Sequence, residues 1–159
     1  MSDNATSAEN QQERFLIHSE LTPDYVLGLV DGEGYFSVNA RIEDRKTYKS
    51  HNVSLVFGIK LSTKDGEILK SVKEYFGCGN IYYREDLREK FCDCLEYQVR
   101  SHRDMMGKII PFFRKHPLKF SSKKKAFSYL CEIADMIVKR EHLNEEGIKK
   151  AQKLAKLMH

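Results

Sequence analysis

Two stretches of strict alternation constrain the fold of this chain more than any other feature. From Tyr35 to Asp44, residues Phe36, Val38, Ala40 and Ile42 fall on one face and Tyr35, Ser37, Asn39, Arg41 and Glu43 on the other. Asn52 to Leu61 repeats the pattern, with Val53, Leu55, Phe57, Ile59 and Leu61 on the apolar side and Asn52, Ser54, Val56, Gly58 and Lys60 opposite. A period of two with one apolar face is the signature of an antiparallel sheet whose other face meets water. Two shorter strands are predicted from Asn80 to Arg84 and from Leu95 to Ser101, joined by a charged hairpin loop.

Around the strands the period becomes helical. Thr22 is placed to cap a helix that opens on Pro23 and Asp24 and runs to about Asp31, with Gly32 and Gly34 stopping it. Thr63 is read as the cap of a second helix, in which Ile68, Leu69, Val72, Tyr75 and Phe76 recur at helical spacing before Gly77. Ser101 and Asp104 form a capping-box-like start for a helix that Pro111 interrupts, and Pro117 ends that segment. A long helix is predicted from about Ser122 to Arg140, burying Phe127, Leu130, Ile133, Ala134, Ile137 and Val138, and Asn144 caps a last helix carrying Ile148, Ala151, Leu154, Ala155 and Leu157. The order is α-β-β-α-β-β-α-α-α, an α+β fold with a four-stranded antiparallel sheet and helices on one face. The uncovered face is either a binding surface or simply solvated.

A chain of 159 residues is long enough to bury a core without disulfide or metal. Residues 1–18 are polar and aperiodic and read as a disordered arm, leaving 19–159 as a single domain. There is no apolar run long enough to span a membrane and no signal-peptide pattern, so the expectation is an intracellular protein. The four cysteines fit no secreted framework and read as reduced thiols, the alternative being a zinc module from Cys78, Cys92 and Cys94 with a histidine. Charge is unevenly spread: residues 1–99 hold 12 Lys and Arg against 17 Asp and Glu, residues 100–159 hold 15 against 6. The second part carries net +9, which points to a polyanion partner.

The segment from Val26 to Gly34 (VLGLVDGEG) carries the chemistry. It sets two carboxylates, Asp31 and Glu33, at a helix C-terminus, where the dipole disfavours anions by about 0.3–1 kcal/mol each, so a compensating group, most naturally a cation, is required. Gly28 and Gly32 share one face of that helix and allow a second backbone to approach. Together these residues resemble the motif of the LAGLIDADG homing endonucleases, and further landmarks follow in the family's order: Phe57 to Leu61 with Lys64 and Asp65, Tyr75 to Ile81, Ile109 to Phe113 with Lys115 to Leu118, and His142 to Ile148.

The resemblance implies a site-specific, divalent-metal-dependent DNA endonuclease, intron-encoded and acting at DNA, that cuts both strands of a long, near-palindromic target. Glu33 stands in the position of the acidic metal ligand and Gly32 in that of the backbone carbonyl near the metal; Asp31 takes the structural acid's place. Mg²⁺ is the implied cofactor, with Ca²⁺ supporting binding without cleavage. Since the motif occurs once, the chain is expected to form a homodimer through Tyr25, Gly28, Leu29, Asp31 and Gly32, with double-stranded DNA as its partner and no small-molecule substrate or membrane. The family's lysine beside the scissile phosphate falls on Lys123 counting back from Phe127 and on Lys124 counting from Pro117, with Lys119 and Lys125 as further DNA contacts. The position that orders active-site water in some members is Leu61 here, with Ser62 and Lys64 as substitutes. Base reading is assigned to the wet face, since a β-ribbon fits the major groove: Ser37, Asn39, Arg41, Glu43, Lys60, Tyr82, Arg84, Glu96, Gln98 and Arg100. Gly58 has no side chain to read with. The alternative function keeps this fold and surface in a DNA- or RNA-binding maturase or regulator that does not cleave.

Overall fold

The computed structural model describes residues 20–88 and 92–159; the arm expected over residues 1–18 lies outside them. Helix α1 spans Pro23–Glu33, with Thr22 Oγ1 accepting from Tyr25 N at 3.2 Å. It is two residues longer than expected, because Gly32 stays helical and Gly34 provides the extended C-cap. Strands β1 (Gly34–Arg45) and β2 (Tyr48–Ser62) outrun the alternating stretches and pair from Gly34↔Ile59 to Arg45↔Tyr48, which leaves a two-residue hairpin turn. Helix α2 (Ile68–Phe76) ends on Gly77 in the left-handed conformation at φ 61°. Strands β3 (Asn80–Arg84) and β4 (Cys94–Val99) complete one antiparallel sheet in the order β1-β2-β4-β3.

The remaining chain is helical: α3 (His102–Asp104), a π-helical turn (Met105–Ile109), α4 (Ile110–Lys115), α5 (Ser121–Val138), a 3₁₀ turn (Glu141–Leu143) and α6 (Glu145–Leu157). Two expected caps are present: Ser101 Oγ accepts from Asp104 N at 3.3 Å and Asn144 Oδ1 from Gly147 N at 2.7 Å. Three expectations are corrected. Thr63 does not cap α2: its N–H donates to Asp93 O at 3.0 Å, prolonging the β2–β4 pairing, so the helix begins only at Ile68. Pro111 does not interrupt its helix, because the π turn just before it, with Ile110 N–H bonded to Met105 O, absorbs the proline's missing donor and bulky ring. Helix α5 stops at Val138, which is 69% exposed, and Arg140 turns the chain at φ 60°.

Helices α5 and α6 pack on β1, and α2 on β3 and β4. The core between the layers is aromatic at its centre. Phe36 stacks on Phe57 at 5.4 Å between ring centroids, Phe113 meets both edge-on, and Phe76 and Tyr97 extend the cluster. Tyr97 is fully buried and donates to Cys78 O at 3.0 Å, and its hydroxyl is pushed well above the ordinary tyrosine range, first by burial. The inward residues of β1 and β2 are those the alternation selects, and among the described residues the opposite face of the sheet carries no helix.

Candidate functional site

Two helix ends meet at one edge of the uncovered sheet. Asp31 is buried on α1, and its carboxylate accepts from Lys119 N at 2.9 Å and Phe120 N at 3.2 Å, the backbone just ahead of α5. The anion that is misplaced at the C-terminus of α1 is thus well placed at the N-terminus of α5. Its compensating group is this helix start rather than the cation that the dipole argument favoured, in keeping with the structural, backbone-binding place that the resemblance gives Asp31. Helix α5 carries the converse anomaly: Lys123, Lys124 and Lys125 crowd its positive end, with no acidic residue in its first turn. Sequence reasoning flagged the acids and missed the matching signal, lysines against the dipole of the helix they face.

Glu33, two residues beyond Asp31, is exposed at the last position of α1. Lys123 is part-buried and its Nζ donates to Gly34 O, so its ammonium sits one residue from Glu33 along the chain. Lys119, Lys124 and Lys125 are exposed around it. Of the two lysines that the spacing left open, Lys123 is the one whose ammonium reaches the end of α1. Leu61 and Ser62 are half-buried at the end of β2, and Ser62 Oγ is engaged locally, accepting from Lys64 N at 3.3 Å.

Helix α1 buries Val26, Leu27 and Val30 against its own chain, yet its other side is also apolar and small. Tyr25 is 51% exposed, Leu29 is half-buried, and a Cβ added at Gly28 or Gly32 would meet nothing within 4 Å among the described residues. The Asp31 side chain, by contrast, is fully committed within the chain.

The outer face of the sheet carries Ser37, Glu43, Lys60 and Tyr82 together with several side-chain hydrogen bonds. Arg41 Nε donates to Asn39 Oδ1 at 2.8 Å, Arg84 Nε to Glu96 Oε2 at 2.8 Å, and Arg100 Nε to Gln98 Oε1 at 2.9 Å. The Arg84 guanidinium also lies over the Tyr82 ring at 5.4 Å. Gln98 is buried. Burial alone would raise the Glu96 carboxyl, but hydrogen bonds from Arg84 and Tyr35 outweigh it and hold the group below the ordinary glutamate value. Tyr35 is the residue of this face that sequence reasoning passed over.

The donors near Glu33 are all oxygens, its carboxylate and the carbonyls of a helix end, which suits a hard divalent cation such as Mg²⁺ or Ca²⁺. One chain offers a single free carboxylate there, and among the described residues no three His, Cys, Asp or Glu side chains are placed to hold a metal. The same finding corrects the zinc alternative: Cys78, Cys92 and Cys94 do not converge with a histidine.

Comparison with known proteins finds relatives of this sequence and fold. The family described as LAGLIDADG endonuclease matches residues 26–134. A probable intron-encoded endonuclease of Neurospora crassa is 29% identical over 130 residues, which is 80% of this chain and 22% of that protein. Among the fungal intron relatives the chain spans between 22% and 34% of their length. The crystal structure of the homing endonuclease I-TnaI is 34% identical with a TM-score of 0.71, covering 86% of each chain. I-SmaMI bound to an uncleaved DNA target in the presence of calcium ions is 29% identical with a TM-score of 0.71, over 84% of this chain and 43% of that one. With its motif helix, its four-stranded sheet and this match over most of its length, the chain belongs to the LAGLIDADG endonuclease family.

Proposed function

We propose that this chain is a site-specific DNA endonuclease that acts as a homodimer and cuts both strands of a near-palindromic target. The observation that carries the reading is the edge where α1 and α5 meet: an exposed Glu33, a lysine reaching to the adjacent residue, and an open Gly28/Gly32 stripe leading to them. Two copies packed along that stripe bring two Glu33 carboxylates together on the two-fold axis, supplying the second acid that one chain lacks. Similarity to I-TnaI, whose chain is covered to the same 86%, supports a one-motif unit of this size.

In this reading Glu33, with the Gly32 carbonyl, would hold Mg²⁺. When bound there, it would supply activation of water and neutralisation of charge at the phosphate. Asp31 does no chemistry; it fixes the angle between α1 and α5. Lys123 places a positive charge beside the same phosphate, while Lys119, Lys124 and Lys125 follow the backbone. The outer face of β1–β4 lies in the major groove and reads bases. The calcium-bound, uncleaved complex of I-SmaMI supports the expectation that Ca²⁺ permits binding without cutting.

The test is cleavage of a plasmid carrying the DNA that flanks the gene's own insertion point, with Mg²⁺ present. Wild type is expected to linearise it, while Glu33→Gln binds the same site but neither cuts nor nicks. A mutant that still nicks removes Glu33 from the mechanism. A wild type that binds and never cuts selects the maturase or regulator reading.

A further inference from the structure

One transverse row of the sheet runs from Tyr35 on β1 through Gly58 on β2 and Gln98 on β4 to Asn80 on β3, and the next row holds Lys60, Glu96 and Tyr82. Gly58 leaves a gap above the sheet, and the Tyr35 ring lies in it: a Cβ built on Gly58 would stand 2.5 Å from the ring's Cζ and Oη. The hydroxyl thereby passes over a whole strand. On β4 it donates to Glu96 Oε1 at 2.7 Å and accepts from Gln98 Nε2 at 2.6 Å. At their far ends both partners hold an arginine, Arg84 on Glu96 Oε2 and Arg100 on Gln98 Oε1.

The direction of every bond follows from donor chemistry. An ionised Glu96 only accepts, so the Tyr35 proton goes to it; Gln98 gives an N–H to Tyr35, so its oxygen is left for Arg100. The Tyr35 hydroxyl is pushed up to about 12, by burial first and then by its bond to Glu96, and so keeps its proton at any physiological pH. Glu96 has a side chain only 12% exposed and Gln98 is 6% exposed, so neither has an edge free to meet a base. The arginines differ. Each is tied through Nε, and its two terminal nitrogens hold no hydrogen bond to another described residue.

We infer that Tyr35 is a positioning residue that acts through Glu96 and Gln98 to preset Arg84 and Arg100 as two forks, and that each half of the target carries a guanine under each of them. Guanine alone presents two adjacent acceptors, O6 and N7, in the major groove, matching a pair of N–H donors on one guanidinium. A long side chain held in place before binding loses less freedom on binding, so the preset orientation sharpens discrimination without adding a contact. Gly58 belongs to the same device, because any side chain there would lift Tyr35 from its seat. This inference rests on the DNA-reading role proposed for the outer face.

The experiment measures binding of wild type, Y35F, G58A and R84A to a library in which each target position is varied singly, at one salt concentration. Wild type should prefer guanine by about tenfold or more at two positions per half-site. R84A should lose one of these. Y35F and G58A should weaken both together by about three- to tenfold, the worth of one hydrogen bond, with affinity for unrelated DNA unchanged. In the DNA-free protein, the Arg84 and Arg100 Nε–H signals should exchange with water faster in Y35F than in wild type, although Tyr35 touches neither arginine. A Y35F profile and Nε–H exchange identical to wild type overturn the inference and leave DNA recognition standing. Equal weakening of every sequence in Y35F also overturns it, marking Tyr35 as a structural prop. A wild type with no base preference removes the inference together with the reading beneath it.

Discussion

Asp31 and Glu33 sit two positions apart on a helix, about 200° around its axis, and so face opposite ways. One is buried and bonded, the other open. Their substitutions should therefore separate cleanly. Asp31→Ala leaves the Lys119 and Phe120 amides without an acceptor and should lower stability by about 2–3 kcal/mol in a urea titration. Glu33→Ala should stay within about 0.5 kcal/mol of wild type in the same titration. Glu96 gives a pH test. Its carboxyl titrates below the ordinary value of 4.5 in the fold, so its contribution is present above that pH and is lost as the pH falls through the lower folded-state value. The difference in melting temperature between wild type and Glu96→Gln should hold steady at neutral pH and shrink only in that acid window. Tyr35 shows why residue roles were only partly legible. Within its own strand it is one of five alternating wet positions, and its role needs two facts that β1 does not contain: that β4 lies across β2, and that position 58 is glycine.

Elements were legible where their determinants are local. The alternation in β1 and β2 and the caps at Thr22, Ser101 and Asn144 act within a few residues, and they stand in the fold as read. The start of α2 was not legible, because the Thr63 amide is taken by Asp93, thirty residues on. The end of α5 was hidden for another reason: Arg140, where glycine would have marked the left-handed turn, carries the positive φ. The π turn before Pro111 likewise has no local signature, since a proline more often breaks a helix than is accommodated by one. Helix α1 is apolar on two sides, and the side holding Tyr25, Gly28 and Gly32 is exposed among the described residues. A Cβ at Gly28 meets nothing within 4 Å among the described residues, so Gly28→Leu should leave the fold intact, whereas against a two-fold mate its added volume should be excluded. Sedimentation should show a dimer for wild type and a monomer for Gly28→Leu. A wild type that sediments as a monomer, free and on DNA, rules out α1 as the seam.

At the scale of the molecule, charge and layers are arranged so that the helices bury one side of the sheet and leave a face of arginine, glutamate and tyrosine on the other, with the lysines of α5 at its edge. The Asp31 clasp has a kinetic consequence. It ties the helix proposed as the seam to the start of the helix that carries Lys123, so in the proposed homodimer each subunit would bring a finished half of the chemistry and neither half would suffice alone. Initial cutting rates should then rise with the square of enzyme concentration in dilute solution and become linear once dimers saturate, as a dilution series would show. Proportionality throughout would mean that one chain cuts by itself. Under that quadratic law a tenfold drop in copy number would lower the proposed cutting a hundredfold, and a cell expressing the gene weakly would be protected by dilution, without any inhibitor.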